Sequence, residues 1–477
     1  MAKAVLDILG EIKMPNYKID KNISNAIFRT YDIRGLVGKE LTIDSLYTIG
    51  LAIGSEAIDS GQTKIVIGRD GRLSGPDFLQ ALAGGIKKSG CDVINIEEVT
   101  TPILYYATNV LDTQSGAMIT GSHNPPEYNG IKVIINGITL YEDTIQALYR
   151  RINNNNFHYG DGKEQKIDLL DQYIKRVVDG IRLIKPLKIV IDCGNGVGGK
   201  VAPKLFKALG CEVIELFCKI DGHFPNHHPD PSIMANLKDL IYTVKTHNAD
   251  IGLAFDGDAD RIGVVTSKGD VVLPDRQMIL FVRDILKRYP GAAIPFDVKC
   301  TRHLANEITK NGGKAVMMRT GHSLIKAEIN KRKSPIGGEL SGHIFIKERW
   351  YGFDDGIYVA ARLLEIIARD SRSSADIFAE IPNSINTPEL KLNIAEEEKF
   401  KFIEKFIAKA RFQDATIITI GGIRVDFKDG FGLMRASNTS PAITFRFEGD
   451  TKAALDRIEK IFKEQILLID NSLLLPF

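Results

Sequence analysis

The chain has 477 residues, 44% of them hydrophobic, which is enough for three or four domains that each bury a core. Its 62 basic and 60 acidic side chains give a net charge of +2, and this balance argues against a protein that binds nucleic acid or an anionic membrane through charge. Five scattered cysteines without a close pair, and the lack of a long apolar run, predict a soluble cytoplasmic protein that is neither built on disulfides nor membrane-spanning.

Three successive segments share one predicted plan, in which a strand, a helix and two further strands follow one another. The first strands cover residues 64–68, 188–192 and 292–296. The second strands cover 92–96, 212–216 and 315–318, and the third strands cover 117–120, 251–255 and 336–339. Alternation of strands and helices favours parallel or mixed sheets that are covered by helices. The sequence therefore predicts three related α/β units in a row.

A polar loop follows each third strand, at residues 120–126, 256–261 and 337–343. In open α/β sheets, ligands bind beyond the carboxyl ends of the strands. Three units that present their loops at equivalent positions can surround one pocket. We therefore expect these loops to line a shared central cleft.

The first of these loops carries Ser122 between a glycine and a histidine, and two prolines close it. It is not the nucleophile elbow of the hydrolases, because Thr120 and Asn124 stand where that motif needs glycines. On its own the serine is as compatible with a local turn or helix cap as with catalysis. Beside a metal-binding loop, it becomes a candidate to carry a phosphoryl group, whose oxygens can complete a metal shell.

The second loop holds Asp256, Asp258 and Asp260 at alternate positions, directly after an apolar strand. Residues two apart in an extended chain project to the same side, and like charges held that close repel unless a cation lies between them. Carboxylate oxygens suit hard ions, so the loop predicts a Mg²⁺ site rather than a solvated acidic turn. An EF-hand is excluded because its required glycine and glutamate positions hold Arg261 and Ser267.

The third loop places Glu339, Ser341 and His343 at alternate positions around glycines, which suits sugar hydroxyls but also fits a plain glycine-rich turn. From about residue 375 the pattern changes. A charged amphipathic helix is predicted over 396–409, and several strands follow it. These elements predict a smaller α+β domain at the carboxyl end of the chain.

A loop within this last domain offers a guanidinium, hydroxyls, an amide and backbone N–H groups within five residues. The residues with these polar side chains are Arg435, Ser437, Asn438 and Thr439. Such a set of donors is suited to a phosphate group, although an ordinary polar turn before a strand is the alternative.

Five motifs, in this order, resemble those of the α-D-phosphohexomutase superfamily, in particular its phosphomannomutase/phosphoglucomutase branch. They lie at residues 28–35, 120–126, 256–261, 338–343 and 435–439. The resemblance spans nearly the whole chain from about residue 26, and residues 1–26 form an extension to which no role is assigned. It implies three similar α/β domains with mixed sheets and a smaller α+β domain around a central cleft. The expected boundaries are 1–165, 166–270, 271–375 and 376–477.

The resemblance also implies a reaction, the reversible movement of a phosphoryl group between O1 and O6 of mannose or glucose. It would proceed through a phosphoserine at Ser122 and a hexose 1,6-bisphosphate, which also serves as activator. One Mg²⁺ ion would be held by Asp256, Asp258, Asp260 and an oxygen of the phosphoserine. Proton transfer and charge stabilisation would fall to Arg34, Lys132 and His322. The substrate would contact Tyr31, Arg261, Lys299, His322, Glu339, Ser341, His343, Arg435, Ser437, Asn438 and Thr439.

Three alternatives stay open. A phosphoglucosamine mutase is similar in its motifs, and Leu340 replaces a residue that we expect more often to be Met or Gln. An aspartate-based phosphatase, with Asp256 or Asp258 as nucleophile, would leave Ser122 without a role. A sugar-phosphate-binding protein would need no serine. For the mutase, which would act as a monomer or small homo-oligomer, we expect domain 4 to hinge near residues 370–390, because the bisphosphate must turn over without escaping.

Overall fold

Residues 17–437 and 441–477 are described by a computed structural model, in which four sheets follow one another along the chain. Most of the amino-terminal extension and the predicted phosphate contacts Asn438 and Thr439 lie outside the described residues. Three mixed sheets and one antiparallel sheet confirm the expected fold class. None of the helices in the described ranges combines the length and the apolar character that a bilayer crossing needs.

The first three sheets repeat one strand order. In each of them a central first strand pairs in parallel with the second and third strands, and the third strand pairs with an antiparallel fourth. The sequence pattern predicted this repeat from the first three strands of each unit. Because the third strand always turns back into the fourth, its carboxyl-terminal loop occupies the same place in all three domains.

Domain 1 has a seven-stranded sheet in the order β1-β5-β4-β2-β3-β7, with β6 paired to β5. Its strands are β1 (Ile33–Leu36), β2 (Lys64–Arg69), β3 (Asp92–Glu98), β4 (Gly116–Ile119), β5 (Tyr128–Ile135), β6 (Ile138–Thr139) and β7 (Glu164–Lys166). Its α-helices are α1 (Ile43–Asp59), α2 (Gly75–Ser89), α3 (Thr101–Val110) and α4 (Asp143–Asn153), and a short 3-10 helix precedes them (Asn25–Ile27). Helices α1 and α2 touch through glycine, since a Cβ added to Gly85 would lie 2.0 Å from the carbonyl oxygen of Tyr47.

Domain 2 has a five-stranded sheet in the order β12-β11-β10-β8-β9. Its strands are β8 (Lys188–Asp192), β9 (Glu212–Leu216), β10 (Ile251–Phe255), β11 (Ile262–Thr266) and β12 (Val271–Val272). Its helices are α5 (Leu170–Val178), α6 (Ala202–Ala208) and α7 (Lys238–Thr246), with 3-10 turns at Val197–Lys200 and Met234–Leu237. The predicted hairpin after the aspartate loop is therefore formed by β11 and β12.

Domain 3 has a four-stranded sheet in the order β14-β13-β15-β16. Its strands are β13 (Ala293–Asp297), β14 (Lys314–Met318), β15 (Ile336–Gly338) and β16 (Ile344–Ile346). Its helices are α8 (Pro274–Ile285), α9 (Arg302–Lys310), α10 (His322–Arg332), α11 (Gly356–Ala368) and α12 (Ser374–Ala379). One continuous cluster of buried apolar residues runs from Val66 to Ile381, so the first three domains share a core.

Domain 4 has a six-stranded antiparallel sheet in the order β17-β22-β21-β20-β19, with β18 paired to β22. Its strands are β17 (Ile385–Asn386), β18 (Leu390–Asn393), β19 (Thr416–Ile418), β20 (Ile423–Phe427), β21 (Gly430–Ala436) and β22 (Ala442–Gly449). Its helices are α13 (Glu396–Lys409), as predicted, and α14 (Lys452–Leu467). The boundary predicted at 375/376 falls inside α12, whose Ile377 and Phe378 pack in the shared core; we propose to place it after that helix.

Strand β22 alternates apolar and polar residues in the sequence, yet it is buried along its whole length. Its polar side faces domain 3. There Glu448 Oε1 accepts a hydrogen bond of 3.0 Å from Thr301, and Arg446 lies 3.6 Å from Asp275. On β20 of the same sheet, the fully buried Arg424 donates to two carbonyl oxygens of the segment 298–300. Domain 4 is thus attached to domain 3 through a buried polar contact.

Candidate active site

The loops that follow β4, β10 and β15 meet in one cleft, as the repeat predicted. The hydroxyl of Ser122 donates a hydrogen bond of 3.0 Å to Asp256 Oδ2, which joins the first loop to the second. Arg261 Nε donates a hydrogen bond of 2.9 Å to His343 Nε2, which joins the second loop to the third. The serine and the aspartates therefore share a site although more than a hundred residues separate them in the chain.

Ser122 is held in an unusual backbone conformation. Its φ is +47°, in the left-handed region that non-glycine residues seldom adopt, and its side chain is buried. Its backbone N–H donates 2.7 Å to Thr120 Oγ1, and Thr120 in turn donates to the buried carboxylate of Asp70. This chain of bonds compensates for the backbone strain and fixes the hydroxyl toward Asp256.

A second set of interactions fixes the same loop, and the sequence did not predict it. The buried guanidinium of Arg72 donates to four backbone carbonyl oxygens, at distances of 2.6 to 2.9 Å. These oxygens belong to Ser122, Asn124, Pro125 and Tyr128. The planar fork of an arginine can satisfy several acceptors at once, so Arg72 acts as a clamp on the serine loop.

We expect Arg72→Lys to destabilise the protein by about 3 kcal/mol, because a lysine ammonium cannot reproduce the fork and leaves buried carbonyl oxygens without donors. The phosphoryl transfer that the motif resemblance predicts for Ser122 should slow as the loop loosens. Urea denaturation measures the first effect and single-turnover kinetics the second. The exposed Arg150 supplies the control, since Arg150→Lys should change neither quantity. Wild-type stability in Arg72→Lys would show that the clamp is not needed.

The three aspartates form a buried group that could hold a metal ion. Asp256, Asp258 and Asp260 are fully buried, and one oxygen from each lies within 4.8 Å of the others. The Oδ1 atoms of Asp258 and Asp260 have no hydrogen-bond partner among the described residues. Burial of a carboxylate oxygen without a hydrogen-bond donor destabilises the folded protein unless a cation binds that oxygen. The donor set is all oxygen and therefore fits a hard divalent ion.

Lys132 lies against this group and sets its charge state. Its ammonium is 2.7 Å from Asp258 Oδ2 and also pairs with Asp260. Burial raises the pKa of Asp256 well above its usual range, and the neighbouring carboxylates raise it further. Burial also opposes ionisation of Asp258, but Lys132 outweighs it and lowers the pKa of that carboxyl. Asp256 is therefore the carboxyl that needs additional positive charge to ionise.

Two histidines stand on the other side of the aspartates. The rings of His322 and His343 stack at 5.2 Å between centroids. Since His343 Nε2 accepts from Arg261, its proton lies on Nδ1, which is 3.0 Å from Asp354 Oδ2. The buried ammonium of Lys326 holds the other oxygen of Asp354 at 3.0 Å. No motif marked Asp354 or Lys326, because they reach the site only through the packing of α10 and the segment before α11.

A cavity of about 440 Å³ opens beside these groups. Every substrate contact predicted within the described residues lines it. They are Tyr31, Arg261, Lys299, His322, Glu339, Ser341, His343, Arg435 and Ser437. The sequence did not indicate Asp230, Glu389 and Arg446, which also line it. His123, the neighbour of Ser122, joins the cavity wall to the serine loop.

Arg34 and Lys132 support the loops of the site, whereas the predicted catalytic residue His322 lines the cavity. Arg34 donates at 2.5 Å to the carbonyl oxygen of Gly121 and to Asn124 Oδ1, and it pairs with Asp32. It therefore braces the serine loop, as Lys132 braces the aspartate loop. His322, by contrast, faces the cavity, and burial lowers its pKa well below the usual value, so that its ring is neutral.

The residues that the motif resemblance assigns to the sugar are connected through the third domain. Glu339 accepts hydrogen bonds from the backbone N–H of Gly321 at 2.6 Å and from the hydroxyl of Ser341 at 2.7 Å. Tyr31 donates to the carbonyl oxygen of Thr320, and burial together with Glu339 raises its pKa to about 12. The cavity thus presents a fixed carboxylate and neutral hydroxyl groups, which are suitable partners for the hydroxyls of a sugar.

The fold and this arrangement of loops define a class of enzyme, the phosphohexomutases, which are isomerases. The chain belongs to the phosphoglucomutase/phosphomannomutase family. Models for the family's alpha/beta/alpha domains I, II and III match residues 25–159, 171–269 and 273–385, and the model for its C-terminal domain matches 389–465.

Relatives with similar sequences cover almost the whole chain. A Pseudomonas aeruginosa protein named phosphomannomutase/phosphoglucomutase is 52% identical over 95% of this chain and 98% of its own length. A Neisseria meningitidis phosphoglucomutase is 52% identical over 93% of this chain and 97% of its own. A probable phosphoglucosamine mutase of Methanosphaera stadtmanae is 33% identical over 92% of this chain and 97% of its own.

A solved structure with a similar fold comes from Burkholderia thailandensis, where the protein is described as a phosphoglucomutase/phosphomannomutase family member. It superimposes with a TM-score of 0.91 at 48% identity and covers 96% of this chain and 100% of its own. The Aspergillus fumigatus N-acetylphosphoglucosamine mutase shares only the fold, with a TM-score of 0.58 at 14% identity over 95% of this chain and 97% of its own.

Proposed function

We propose that the chain interconverts the 1-phosphates and 6-phosphates of mannose and glucose, with Ser122 as the carrier of the phosphoryl group. The observation that carries the proposal is the hydroxyl of Ser122 at 3.0 Å from Asp256, in a cleft that the three repeated loops share. The choice of sugars is supported by the name of the Pseudomonas relative, which includes both activities, and by that of the Neisseria relative.

In the first half-reaction, phosphorylated Ser122 gives its phosphoryl group to the free hydroxyl of a bound hexose monophosphate. The bond to the Ser122 oxygen breaks, the bond to the sugar oxygen forms, and a hexose 1,6-bisphosphate results. The sugar then turns over, and its other phosphoryl group returns to Ser122. Phosphoryl transfer depends mainly on positioning and on neutralising the charge of the transferring group, and the clamped serine loop supplies that positioning.

The group that accepts a proton from the attacking hydroxyl must be neutral near pH 7. His322 faces the cavity and is uncharged, so its ring can accept the proton that the attacking sugar hydroxyl loses. Burial opposes the charge on Lys132, yet Asp258 and Asp260 raise its pKa well above the usual value. Lys132 therefore remains an ammonium and stabilises charge rather than moving a proton, and Arg34 does the same.

The aspartate loop would hold Mg²⁺ through Asp256, Asp258 and Asp260, together with an oxygen of the phosphorylated Ser122. The buried Oδ1 atoms without donors support this assignment. When bound, the ion would neutralise charge on the transferring phosphoryl group. Arg261 lies next to the loop and lines the cavity, so its guanidinium would neutralise the same group from the substrate side.

The domain 4 side of the cavity suits the phosphate that does not react. Arg435 and Ser437 line it, and we assign Asn438 and Thr439 to the same cradle. Arg435 lines the cavity, and its buried Nε has no hydrogen-bond partner within 17–437 and 441–477. Glu339, Ser341 and His343 would bind the sugar hydroxyls, while Tyr31 and Lys299 complete the wall. This cradle lies on domain 4. We expected a hinge near residues 370–390, and because α12 packs in the core of the first three domains, we now propose the part of that range after α12.

We propose that the enzyme works in the cytoplasm, and the state of its cysteines supports this. All five are free thiols, which supports an enzyme of the reducing cytoplasm. We propose that it acts there as a monomer or a small homo-oligomer, with hexose 1,6-bisphosphate as the activator that restores phosphorylated Ser122.

A panel of sugar phosphates tests the substrate assignment. We expect mannose 1-phosphate and glucose 1-phosphate to be converted with kcat/KM values within about tenfold of each other, because the cavity offers hydroxyl partners on several sides. Glucosamine 1-phosphate should be at least roughly tenfold poorer. A reversed order would favour the phosphoglucosamine mutase. Release of inorganic phosphate faster than isomerisation would favour the aspartate-based phosphatase.

A further inference from the structure

Two cysteine thiols meet behind the aspartate loop, although 25 positions separate them in the chain. Strands β8 and β9 pair in parallel with Asp192 opposite Leu216; Cys193 follows β8 directly, and Cys218 lies two positions after the end of β9. Their Sγ atoms are 3.5 Å apart, and both are free thiols. The parallel pairing of two strands therefore creates a thiol pair that sequence spacing alone does not reveal.

The two thiols differ in their access to solvent. Cys193 is fully buried, whereas Cys218 is partly exposed. The hydrogen bond with Cys218 and burial raise the pKa of the Cys193 thiol well above its usual value. A small oxidant can therefore reach Cys218, while Cys193 lies buried behind it with the two sulfurs 3.5 Å apart. This is the arrangement of an attacked thiol with a resolving partner.

The turn that begins at Cys193 supports the aspartate loop. The carbonyl oxygen of Cys193 accepts from the N–H of Gly196 at 2.7 Å, and the N–H of Val197 donates to the carbonyl oxygen of Gly257 at 3.1 Å. Gly257 lies between Asp256 and Asp258. Contact here is close, since a Cβ added to Gly196 would lie 2.7 Å from the Gly257 oxygen. A shift of the Cys193 turn is therefore transmitted to the backbone that carries the carboxylates.

We propose that Cys193 and Cys218 form an oxidative modification site, in which a peroxide converts the two thiols to a disulfide and thereby disturbs the aspartate loop. The sulfur of Cys218 attacks one peroxide oxygen, a sulfenic acid forms and water leaves. The sulfur of Cys193 then loses its proton and attacks the sulfenic sulfur, and a second water leaves. One peroxide is thus reduced to two waters, and two thiols are oxidised to one disulfide.

The geometry predicts the consequence of this reaction. The sulfurs must close from 3.5 Å to about 2.05 Å, so the Cys193 turn or the segment around Cys218 has to move. The two segments are in direct contact, since a Cβ added to Gly199, which follows the Cys193 turn, would lie 1.9 Å from the Cys218 carbonyl oxygen. A movement of either segment can therefore reach Val197, whose N–H donates to the carbonyl oxygen of Gly257. The coupling to metal binding rests on the proposed Mg²⁺ site, whereas the cross-link does not.

The test treats the reduced full chain with hydrogen peroxide and maps its peptides by mass. We expect one cross-linked pair containing Cys193 and Cys218, and a Mg²⁺-induced rise in Tm that is at least halved. Dithiothreitol should reverse both changes. Cys218→Ser should prevent them, and because this residue is partly exposed, its variant should fold with a wild-type Tm before oxidation. Cys211→Ser, a buried cysteine of the same domain, is the matched control and should still form the cross-link.

Two results would overturn the proposal. Conversion of Cys218 to a sulfinic acid with no cross-link would show that Cys193 does not act as a resolving thiol. A complete cross-link that leaves the Mg²⁺-induced rise in Tm unchanged would show that the Cys193 turn does not control the aspartate loop. Because the cross-link is read by mass, its outcome is separate from that of the substrate panel.

Discussion

Ser122→Ala is expected to lower the mutase rate by roughly 10⁴-fold or more, because the variant has no atom that can carry the phosphoryl group between the two half-reactions. The buried Ser122 hydroxyl contacts Asp256, and the methyl group of alanine fits the same space, so the fold should persist. A coupled assay of sugar phosphate isomerisation measures the effect. Intact mass of the wild type before and after phosphatase treatment should show one labile phosphate, which Ser122→Ala lacks.

The exposed Ser371 provides the control, since Ser371→Ala should retain both the wild-type rate and the labile phosphate. Substantial isomerisation by Ser122→Ala would contradict the assignment of the carrier. If that variant instead released inorganic phosphate from sugar phosphates at the wild-type rate, the aspartate-based phosphatase would be the better account.

Asp256→Asn is expected to lower the mutase rate by roughly 10³-fold and to remove the stabilisation that we expect from Mg²⁺ at the proposed site. In the absence of metal, the same change should stabilise the protein by about 1 kcal/mol. Burial and the neighbouring carboxylates raise the pKa of Asp256 on folding, so its ionised form disfavours the folded state at neutral pH, and asparagine removes that charge. Thermal melts with and without Mg²⁺ measure both effects.

In the absence of metal, Asp258→Asn should destabilise the protein, whereas Asp256→Asn should stabilise it. The pKa of Asp258 is lowered because Lys132 favours its ionised form, so the native pairing stabilises the fold at pH values above the unfolded pKa. Removing the carboxylate weakens the pairing of the buried ammonium and should cost about 2 kcal/mol. The exposed Asp270 serves as control, since Asp270→Asn should keep the response to Mg²⁺. Equal stability of the Asp256 and Asp258 variants would contradict this charge arrangement.

Much of the fold was predictable because its signals are local. Each repeated strand is a short apolar run that ends in a polar loop, and β8, β9 and β10 have the predicted limits. The end of domain 3 was harder to predict from the sequence. Helix α12 lies just before Pro382 and Pro388, where the repeated pattern stops, and only the packing of Ile377 and Phe378 assigns it to the core of the first three domains.

The candidate site also contains some residues that the sequence indicated and others that it did not. Residues such as Ser122 and Asp256 belong to short motifs, so the sequence could indicate them. Arg72 acts on carbonyl oxygens about fifty positions away, and Asp354 acts on a histidine through a different loop. Such contacts join residues that are far apart in the sequence, so no motif spacing indicates them. The motif resemblance likewise grouped Arg34 with His322, although the structure places Arg34 behind the serine loop.

Crystals of the phosphorylated protein soaked with Mn²⁺, a stand-in for Mg²⁺ that is visible by anomalous scattering, test the central claim most directly. The account predicts one strong anomalous peak in the cleft, with bonds to Asp256, Asp258 and Asp260 and to an oxygen of the phosphate on Ser122. A peak bound elsewhere, or a phosphate on Ser122 that faces away from an occupied aspartate loop, would contradict it.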